Sequence, residues 1–418
     1  MLKVKHELHF WELSDKCMFW LKSDFWEKLY DLKKNQNLTW KKLGHALGIK
    51  PWTLKYYISQ LNDFKNAHYI PVQILLKISD FLGLSYIETE NFIIKGKYGN
   101  NGKPLQISFP INFMTPEWAG LVGAILADGY INKNFGVGFW NTDDEIFNNF
   151  LEMASKITPD GFRVNKVLYG CFFPAILGHI LIIGLGLKEG DKTKVDIGIP
   201  MIYLNSDNEM IVKSLLSWIF TGDGWVTLFK DHLEKTHRTI GIGFGSSKED
   251  KMPQLLINVL CLLKQLEIRH SIPFQRIKEK KDGSRSYSWV AFIKGKNNLI
   301  NFKKRVGFNS NRKQKILDKA IESYTMPQLR KGESLYLVSN AIQKLNRKGR
   351  LVTKHEVRKV TSLKIKRIEV VLKEAKDKNL IEIVGGGIKN PSGGKYPYIY
   401  KPTKGCSKFI EKVGWKFV

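Results

Sequence analysis

Two apolar runs of helical length, each closing on Asp-Gly, constrain this chain more than any other feature. The first is WAGLVGAILADGYI, residues 118–131, and the second is LLSWIFTGDGWV, residues 215–226. Each ends in an acidic residue, a glycine, an aromatic and a β-branched residue. In the first run Gly120, Gly123, Ala124 and Ala127 recur at steps of three and four. On a helix that spacing builds one smooth face, against which a second helix can lie close. Packing by such faces brings Asp128 and Asp223 side by side at the same end. Two carboxylates brought together at helix ends make a divalent-metal site.

The sequence after each run repeats as well. GVGFWNTDDE (136–145) follows the first and GIGFGSSKED (241–250) the second, and both read as a strand, a turn and a helix. Thr142 and Ser246 or Ser247 stand where helix N-caps are expected. Later each half has a helix ending in glycine and an apolar residue, Gly186-Leu187 and Gly307-Phe308. A lysine follows six positions after each of these glycines, Lys192 and Lys313. Three features in the same order predict two halves, 113–210 and 211–325. Each is an αββαββα unit, and together they form an α+β domain with a pseudo-twofold axis between the motif helices.

With 418 residues, two to three domains are expected, and 43% hydrophobic residues are ample for real cores. Lys and Arg outnumber Asp and Glu by 67 to 39, a net charge of +28 that points to a polyanion partner, nucleic acid ahead of an anionic membrane surface. Cys17, Cys171, Cys261 and Cys406 are far apart and form no CxxC pair, so neither a structural zinc site nor a disulfide framework is expected. The charged start, MLKVKHELHFWELSDK, does not read as a signal peptide, and a cytoplasmic, nucleoid-associated protein is expected. Residues 167–187, VLYGCFFPAILGHILIIGLGL, are uncharged and long enough to suggest a membrane span. Pro174 and His179 interrupt them, however, and they lie between two motifs that must meet. A buried strand (167–172) and a core helix (174–187) are expected instead.

The flanks read as DNA-binding units. Residues 1–22 have helical flavour, and Ser23 can cap a helix carrying Phe25, Leu29 and Leu32. Residues 38–60, LTWKKLGHALGIKPWTLKYYISQ, give a short helix with Leu43, Ala46 and Leu47 inward, a stop at Gly48, and a second helix from Pro51 carrying Thr53, Lys55 and Tyr56. With an amphipathic helix near 70–84, residues 1–91 resemble a helical helix-turn-helix domain of the phage-repressor type. Residues 92–112, rich in Gly, Asn, Lys and Pro, read as a linker or extended arm. Residues 330–404 give three helices and a β-hairpin, resembling a winged helix. Its third helix carries Lys364, Lys366 and Arg367, with Ser362 as its expected cap, and 405–418 reads as a tail.

The central region resembles the LAGLIDADG homing endonucleases in their single-chain, two-motif form. The likeness covers about half of the chain and rests on the paired motifs and the repeated flanks. It implies that the motif helices form the subdomain interface and that curved sheets on either side lie in the DNA major groove. It also implies that the last motif acids, here Asp128 and Asp223, bind Mg2+ or Mn2+. The preceding small residues, Ala127 and Gly222, would contribute carbonyls. The chain departs from the pattern at Trp218, which stands where the first run has Gly123. An indole at a close crossing holds helices apart unless its side chain turns aside. Thr221 stands where many members carry a further acid. The end, GWKFV, lacks the His-Asn and nucleophile of an intein, so splicing is not expected.

Hydrolysis of a phosphodiester needs an in-line water, neutralisation of a phosphorane-like transition state and help for the leaving 3′ oxygen. Cutting two strands calls for a basic group near each scissile phosphate. Lys192 and Lys313 are the candidates, and the neighbouring Lys194 and Lys315 fit the same role. Readout of double-stranded DNA is expected from Lys133, Asn134, Asn141, Arg163, Asn165 and Lys166 in the first half. In the second it is expected from Arg238, Ser246, Arg276, Lys278 and Arg285. A monomer with internal pseudo-symmetry is expected. Two other functions fit the same residues: a DNA-binding regulator that keeps the fold without cutting, which Trp218 favours, and a maturase acting on intron RNA.

Overall fold

At the amino end burial alternates residue by residue. Cys17, Phe19 and Leu21 are buried while Met18 and Trp20 are half-covered, which is the period of a strand. The helical flavour expected of residues 1–22 is therefore corrected to β1 (Glu7–Leu8), one 3-10 turn and β2 (Cys17–Leu21). The computed structural model describes residues 6–59, 68–230, 236–246, 248–279, 282–324, 332–388 and 396–414.

Helix α1 (Ser23–Asn35) follows, with Lys22 rather than Ser23 at the cap position; the Ser23 hydroxyl donates to Asp24 instead. In α2 (Trp40–Leu47) the Thr39 hydroxyl accepts the Lys42 N–H, and Gly48, at φ 64°, ends the helix. Pro51 opens α3 (Pro51–Ile58); Gln60 lies outside the described residues. The inward face of α2 is Leu43, Gly44 and Leu47, not Ala46. Gly44 is required there because a Cβ would lie 2.6 Å from the Ile49 carbonyl oxygen. Next come β3 (Ile70–Pro71), α4 (Val72–Leu82) and α5 (Tyr86–Glu90).

The linker expected at 92–112 is built into sheets. β4 (Ile93–Tyr98) pairs with β2 and with β5 (Leu105–Gln106), giving the order β3-β2-β4-β5, while β6 (Ile111–Asn112) pairs with β1. Polar composition reads as a connector, but β4 and β6 find their partners far earlier in the chain, and β5 adds on to β4. Residues 1–91 accordingly do not stand apart as a helical domain. They belong to one compact unit, Met1–Glu322.

The first central half is α6 (Pro116–Ala127), β7 (Gly129–Ile131), β8 (Val137–Trp140), α7 (Asp144–Ile157), β9 (Arg163–Asn165), β10 (Gly170–Phe173) and α8 (Ala175–Leu185). Two short helices, α9 (Lys192–Val195) and α10 (Met201–Leu204), lead to the second half. That half is α11 (Glu209–Asp223), β11 (Gly224–Lys230), β12 (Thr236–Ser246), α12 (Gln254–Gln265), β13 (Phe274–Glu279), β14 (Arg285–Lys294), α13 (Lys296–Arg305) and α14 (Asn311–Glu322). Both sheets are antiparallel with the same order, β7-β8-β10-β9 and β11-β12-β14-β13. Val137, Phe139, Cys171 and Phe173 form the inner face of the first sheet, where Phe139 stacks on Phe150 of α7 at 3.9 Å. Ile240, Ile242, Ala291 and Ile293 do the same in the second.

Several local expectations are corrected. The strand expected at 167–172 begins at Gly170, because Val167 and Leu168 are exposed in the preceding turn. Asp143, not Thr142, caps α7 and accepts the Glu145 and Ile146 N–H groups. Helix α12 starts after Pro253, whereas the Ser246 hydroxyl donates within its own turn, to the Lys248 and Lys251 carbonyls. Ser247 lies outside the described residues. Among the described residues no helix is long and apolar enough to cross a membrane.

The second unit, Ser323–Val418, comprises α15 (Glu333–Arg347), α16 (Lys354–Thr361), α17 (Ile365–Asp377), an antiparallel pair β15 (Ile381–Gly385) and β16 (Ile399–Pro402), and α18 (Lys404–Gly414). It has its own core, with Val338, Ile342, Val357, Ile368 and Val371 buried. Lys364 occupies the cap position of α17, and Ser362 sits in a left-handed turn at φ 55°. The expected tail is largely helical: α18 packs on α15, and Gln343 Nε2 donates to Ser407 Oγ at 2.6 Å.

Candidate active site

Helices α6 and α11 pack along their lengths. A Cβ at Gly123 would lie 2.4 Å from the Leu215 carbonyl oxygen, so only glycine allows this approach. Trp218 does not hold the helices apart. Its side chain leaves the crossing over Gly120 and Gly123 and enters the core of the first half, edge-on to Phe139 at 6.3 Å and to Phe150 at 5.9 Å. The helix ends touch at Gly222, where a Cβ would lie 2.6 Å from Ala127 Cβ and 2.7 Å from Asp128 Oδ2.

Asp128 and Asp223 are thereby brought together, and both are short of solvent. Burial pushes the Asp223 carboxyl up to about 7, with Asp128 adding to the rise while Lys192 and Lys313 oppose it. Burial likewise raises Asp128, against a hydrogen bond from Asn141 and the pull of the two lysines. Asn141 Nδ2 donates to Asp128 Oδ2 at 2.8 Å, so Asn141 belongs to this acidic site rather than to an outer reading face. Asn141 directly follows β8, and the β8–β7 pairing carries it back over Asp128.

Each helix end is gripped by one lysine. Lys192 Nζ donates to the carbonyls of Leu126 (3.1 Å), Ile125 (3.4 Å) and Ala127. Lys313 Nζ donates to Thr221 (2.5 Å) and Gly224 (2.6 Å). An ammonium among helix-terminal carbonyls complements the negative end of the dipole. Burial lowers the pKa of both lysines. Lys194 is exposed and lies 3.8 Å from Asp191, and Lys315 is exposed too, so neither neighbour takes this position.

The start of α14, which bears Lys313, is held from several sides. Thr221 Oγ1 accepts the Asn309 N–H at 2.8 Å, the Glu145 carboxylate accepts the Asn311 N–H at 2.9 Å, and Arg312 lies 3.6 Å from Asp143. Thr221, noted in the sequence only for what it replaces, is thus a positioning residue. No local pattern marks it, since its partner lies almost ninety residues on.

The remaining candidates lie elsewhere. Lys133 and Asn134 are exposed in the β7–β8 turn, Arg163 and Lys166 are exposed around β9, and Asn165 Oδ1 accepts the Leu168 N–H. Arg276, Lys278 and Arg285 are exposed on β13 and β14, the last 3.6 Å from Glu279, while Arg238 donates to the Thr236 carbonyl. Ser246 lines a cavity of about 250 Å³ beside Asp223 and Lys192, with Lys194, Lys248 and Lys251 at its wall. On α3, Lys55 and Tyr56 are exposed and Thr53 half-covered. On α17, Lys364 and Lys366 are exposed while Arg367 donates to Ser334 Oγ at 3.0 Å.

The residues fit a divalent cation on one count and depart from expectation on another. Among the described residues neither carboxylate forms an ion pair, because both ammoniums are engaged by carbonyls. Two desolvated carboxylates therefore lie near one another without a direct ion pair, their charge offset only in part by the two lysines. The Ala127 carbonyl, expected as a metal ligand, carries the Lys192 ammonium instead. Among the described residues no group of three or more His, Cys, Asp and Glu side chains could hold an ion, so ligands beyond the two aspartates would come from water or phosphate.

No known family profile matches the chain, and no curated protein does. Among solved structures, one described as the homing endonuclease I-WcaI bound to its DNA recognition sequence is 18% identical. That match covers 48% of this chain and 85% of the other, with a TM-score of 0.28. The fold itself defines an α+β protein whose central body is built twice on one plan.

Proposed function

We propose that this chain is a site-specific endonuclease of the LAGLIDADG type, hydrolysing both strands of a long double-stranded DNA target with Mg2+ or Mn2+. The observation that carries this reading is the meeting of Asp128 and Asp223 at two touching helix ends, each end gripped by its own half-buried lysine. A divalent cation held by the two carboxylates would activate water and neutralise charge on the phosphate. Asn141 orients the Asp128 carboxylate through its amide. Lys192 and Lys313, each pinned on the end of its own motif helix, offer one positive charge for each scissile phosphate. Helices α2 and α3, and α17 with its hairpin, are read as helix-turn-helix and winged-helix-like units that lengthen the footprint through phosphate contacts.

Trp218 was the feature that favoured a non-cutting regulator, and its ring lies in the core rather than in the crossing. The test is nicking and linearisation of a plasmid library of random targets in Mg2+. Wild type is expected to linearise a subset of plasmids. Asp128→Asn and Asp223→Asn are each expected to lose at least about 100-fold in rate while still binding DNA. Cleavage that survives both substitutions overturns the proposal.

A further inference from the structure

The outer faces of the two central sheets, opposite the α7 and α12 sides, are paved with aromatic rings and glycines. In the first sheet the strand alternation that buries Phe139 and Phe173 turns Tyr130, Trp140 and Phe172 outward. Tyr130 stacks on Trp140 at 4.9 Å, and Trp140 meets Phe172 edge-on at 5.1 Å. In the second sheet the alternation that buries Ile240 and Ile293 turns Trp225, Phe292 and Phe274 outward. Trp225 meets Phe292 at 6.0 Å, and Phe274 stacks on Phe292 at 5.8 Å. Glycine makes room for a ring in both halves. A Cβ at Gly138 would lie 2.0 Å from Tyr130, and one at Gly241 would lie 2.2 Å from Trp225.

This pavement changes what the faces can read. On the first sheet the polar readers sit on the edge strands, where Arg163 lies over Phe172 at 5.2 Å. On the second, Arg276 lies over Phe274 at 5.4 Å from the edge, and Thr239, Ser288 and Lys294 of the central strands share the outer face, Lys294 over Phe292 at 5.3 Å. The centre of the first face is rings and glycines with almost no donor or acceptor to pair with base edges, and on the second face the rings and Gly241 and Gly243 separate the few polar groups. In the major groove the one apolar group a ring can favour is the thymine C5-methyl. Unpaired bases would need open ring faces to stack on, and these rings largely cover one another.

We propose that the two sheet faces select thymine-rich half-sites by packing thymine methyl groups against Tyr130, Trp140 and Phe172 on one side and Trp225, Phe274 and Phe292 on the other. This rests on the duplex-DNA part of the proposed function, not on cutting. The test compares the full chain, without divalent metal, on alternating dA-dT and dA-dU duplexes of equal length, which differ only in the methyl group. The dT duplex is expected to bind about tenfold more tightly, the effect of burying roughly two methyl groups.

Trp140 and Phe274 are 40% and 41% exposed, so the double variant Trp140→Ser/Phe274→Ser is expected to fold, as checked by circular dichroism and melting. It should lose most of the dT preference, and Trp140→Phe/Phe274→Tyr should keep it. Equal affinity of the wild type for dT and dU duplexes overturns the inference, as does a preference that survives in the serine variant. Tighter binding to single-stranded oligo-dT than to duplex also overturns it, in favour of base stacking. Equal dT and dU affinity with metal-dependent nicking intact removes this inference alone, whereas a dT preference without nicking removes only the nuclease.

Discussion

Asp223 is the residue whose chemistry is most altered by where it sits. Its pKa of about 7 in the fold lies above the ordinary carboxylate value of 3.8. Between those values the folded protein binds more protons than the unfolded chain, so this group favours folding at low pH and the benefit is lost as pH rises through 7. Above pH 7 the ionised, desolvated carboxylate is a standing cost. Asp223→Asn is therefore expected to melt higher than wild type at pH 8 without metal and little differently at pH 4. Because Asp223 is only partly covered, the gain should be on the order of 1 kcal/mol, or about 2 °C. Added Mg2+ should raise the wild-type melting temperature at pH 8 and leave the variant unmoved. A variant less stable than wild type at pH 8 without metal contradicts this account. The same burial was invisible in the sequence. Asp-Gly at two helix ends marked the acids and the repeat marked the lysines, but the grip of each lysine on helix carbonyls depends on the start of a helix, α9 or α14, returning from far along the chain.

The α6–α11 crossing shows what spacing conveys at the scale of elements and what it omits. Small residues at steps of three and four marked the close face correctly, because backbone approach depends on which Cβ atoms are absent. Spacing placed Trp218 at the crossing but left its direction open, and direction decides: a helical side chain can leave the seam and fill a neighbouring core. Had Trp218 been a wedge, Trp218→Ala would draw the aspartates together and speed cleavage. As a packed ring it should instead cost about 3–5 kcal/mol in denaturant unfolding, with no gain in cleavage rate. Faster cleavage at unchanged stability would restore the wedge.

The repeated αββαββα plan was legible for a similar reason, since its helices and longer strands carry their own periodicity twice over. β1, β5 and β6 were not, because strands of two residues have no period, and β4 was hidden behind a Gly- and Lys-rich composition. β1, β4 and β6 are held by ladders with distant partners, and β5 only by the ladder to β4.

At the scale of the whole molecule, charge is distributed very unevenly. Residues 323–418 hold 22 Lys and Arg against 7 Asp and Glu, a net +15 of the chain's +28. The carboxylates, the gripping lysines and the paved sheets all belong to the other unit, Met1–Glu322. The candidate site thus lies in one unit while the denser positive charge lies in the other. The second unit buries its own core, so it is expected to fold and melt cooperatively when expressed alone. Its removal should leave metal-dependent nicking by residues 1–322 in place while weakening DNA binding. Neutralised phosphates release counterions, so the slope of log affinity against log salt should become shallower by at least about three when this unit is missing. Fluorescence anisotropy across a salt series, with full chain and truncated chain side by side, measures that slope. An unchanged slope would mean that the basic unit does not share the DNA bound by the rest. Loss of nicking in a folded 1–322 would mean that the second unit contributes to the chemistry itself.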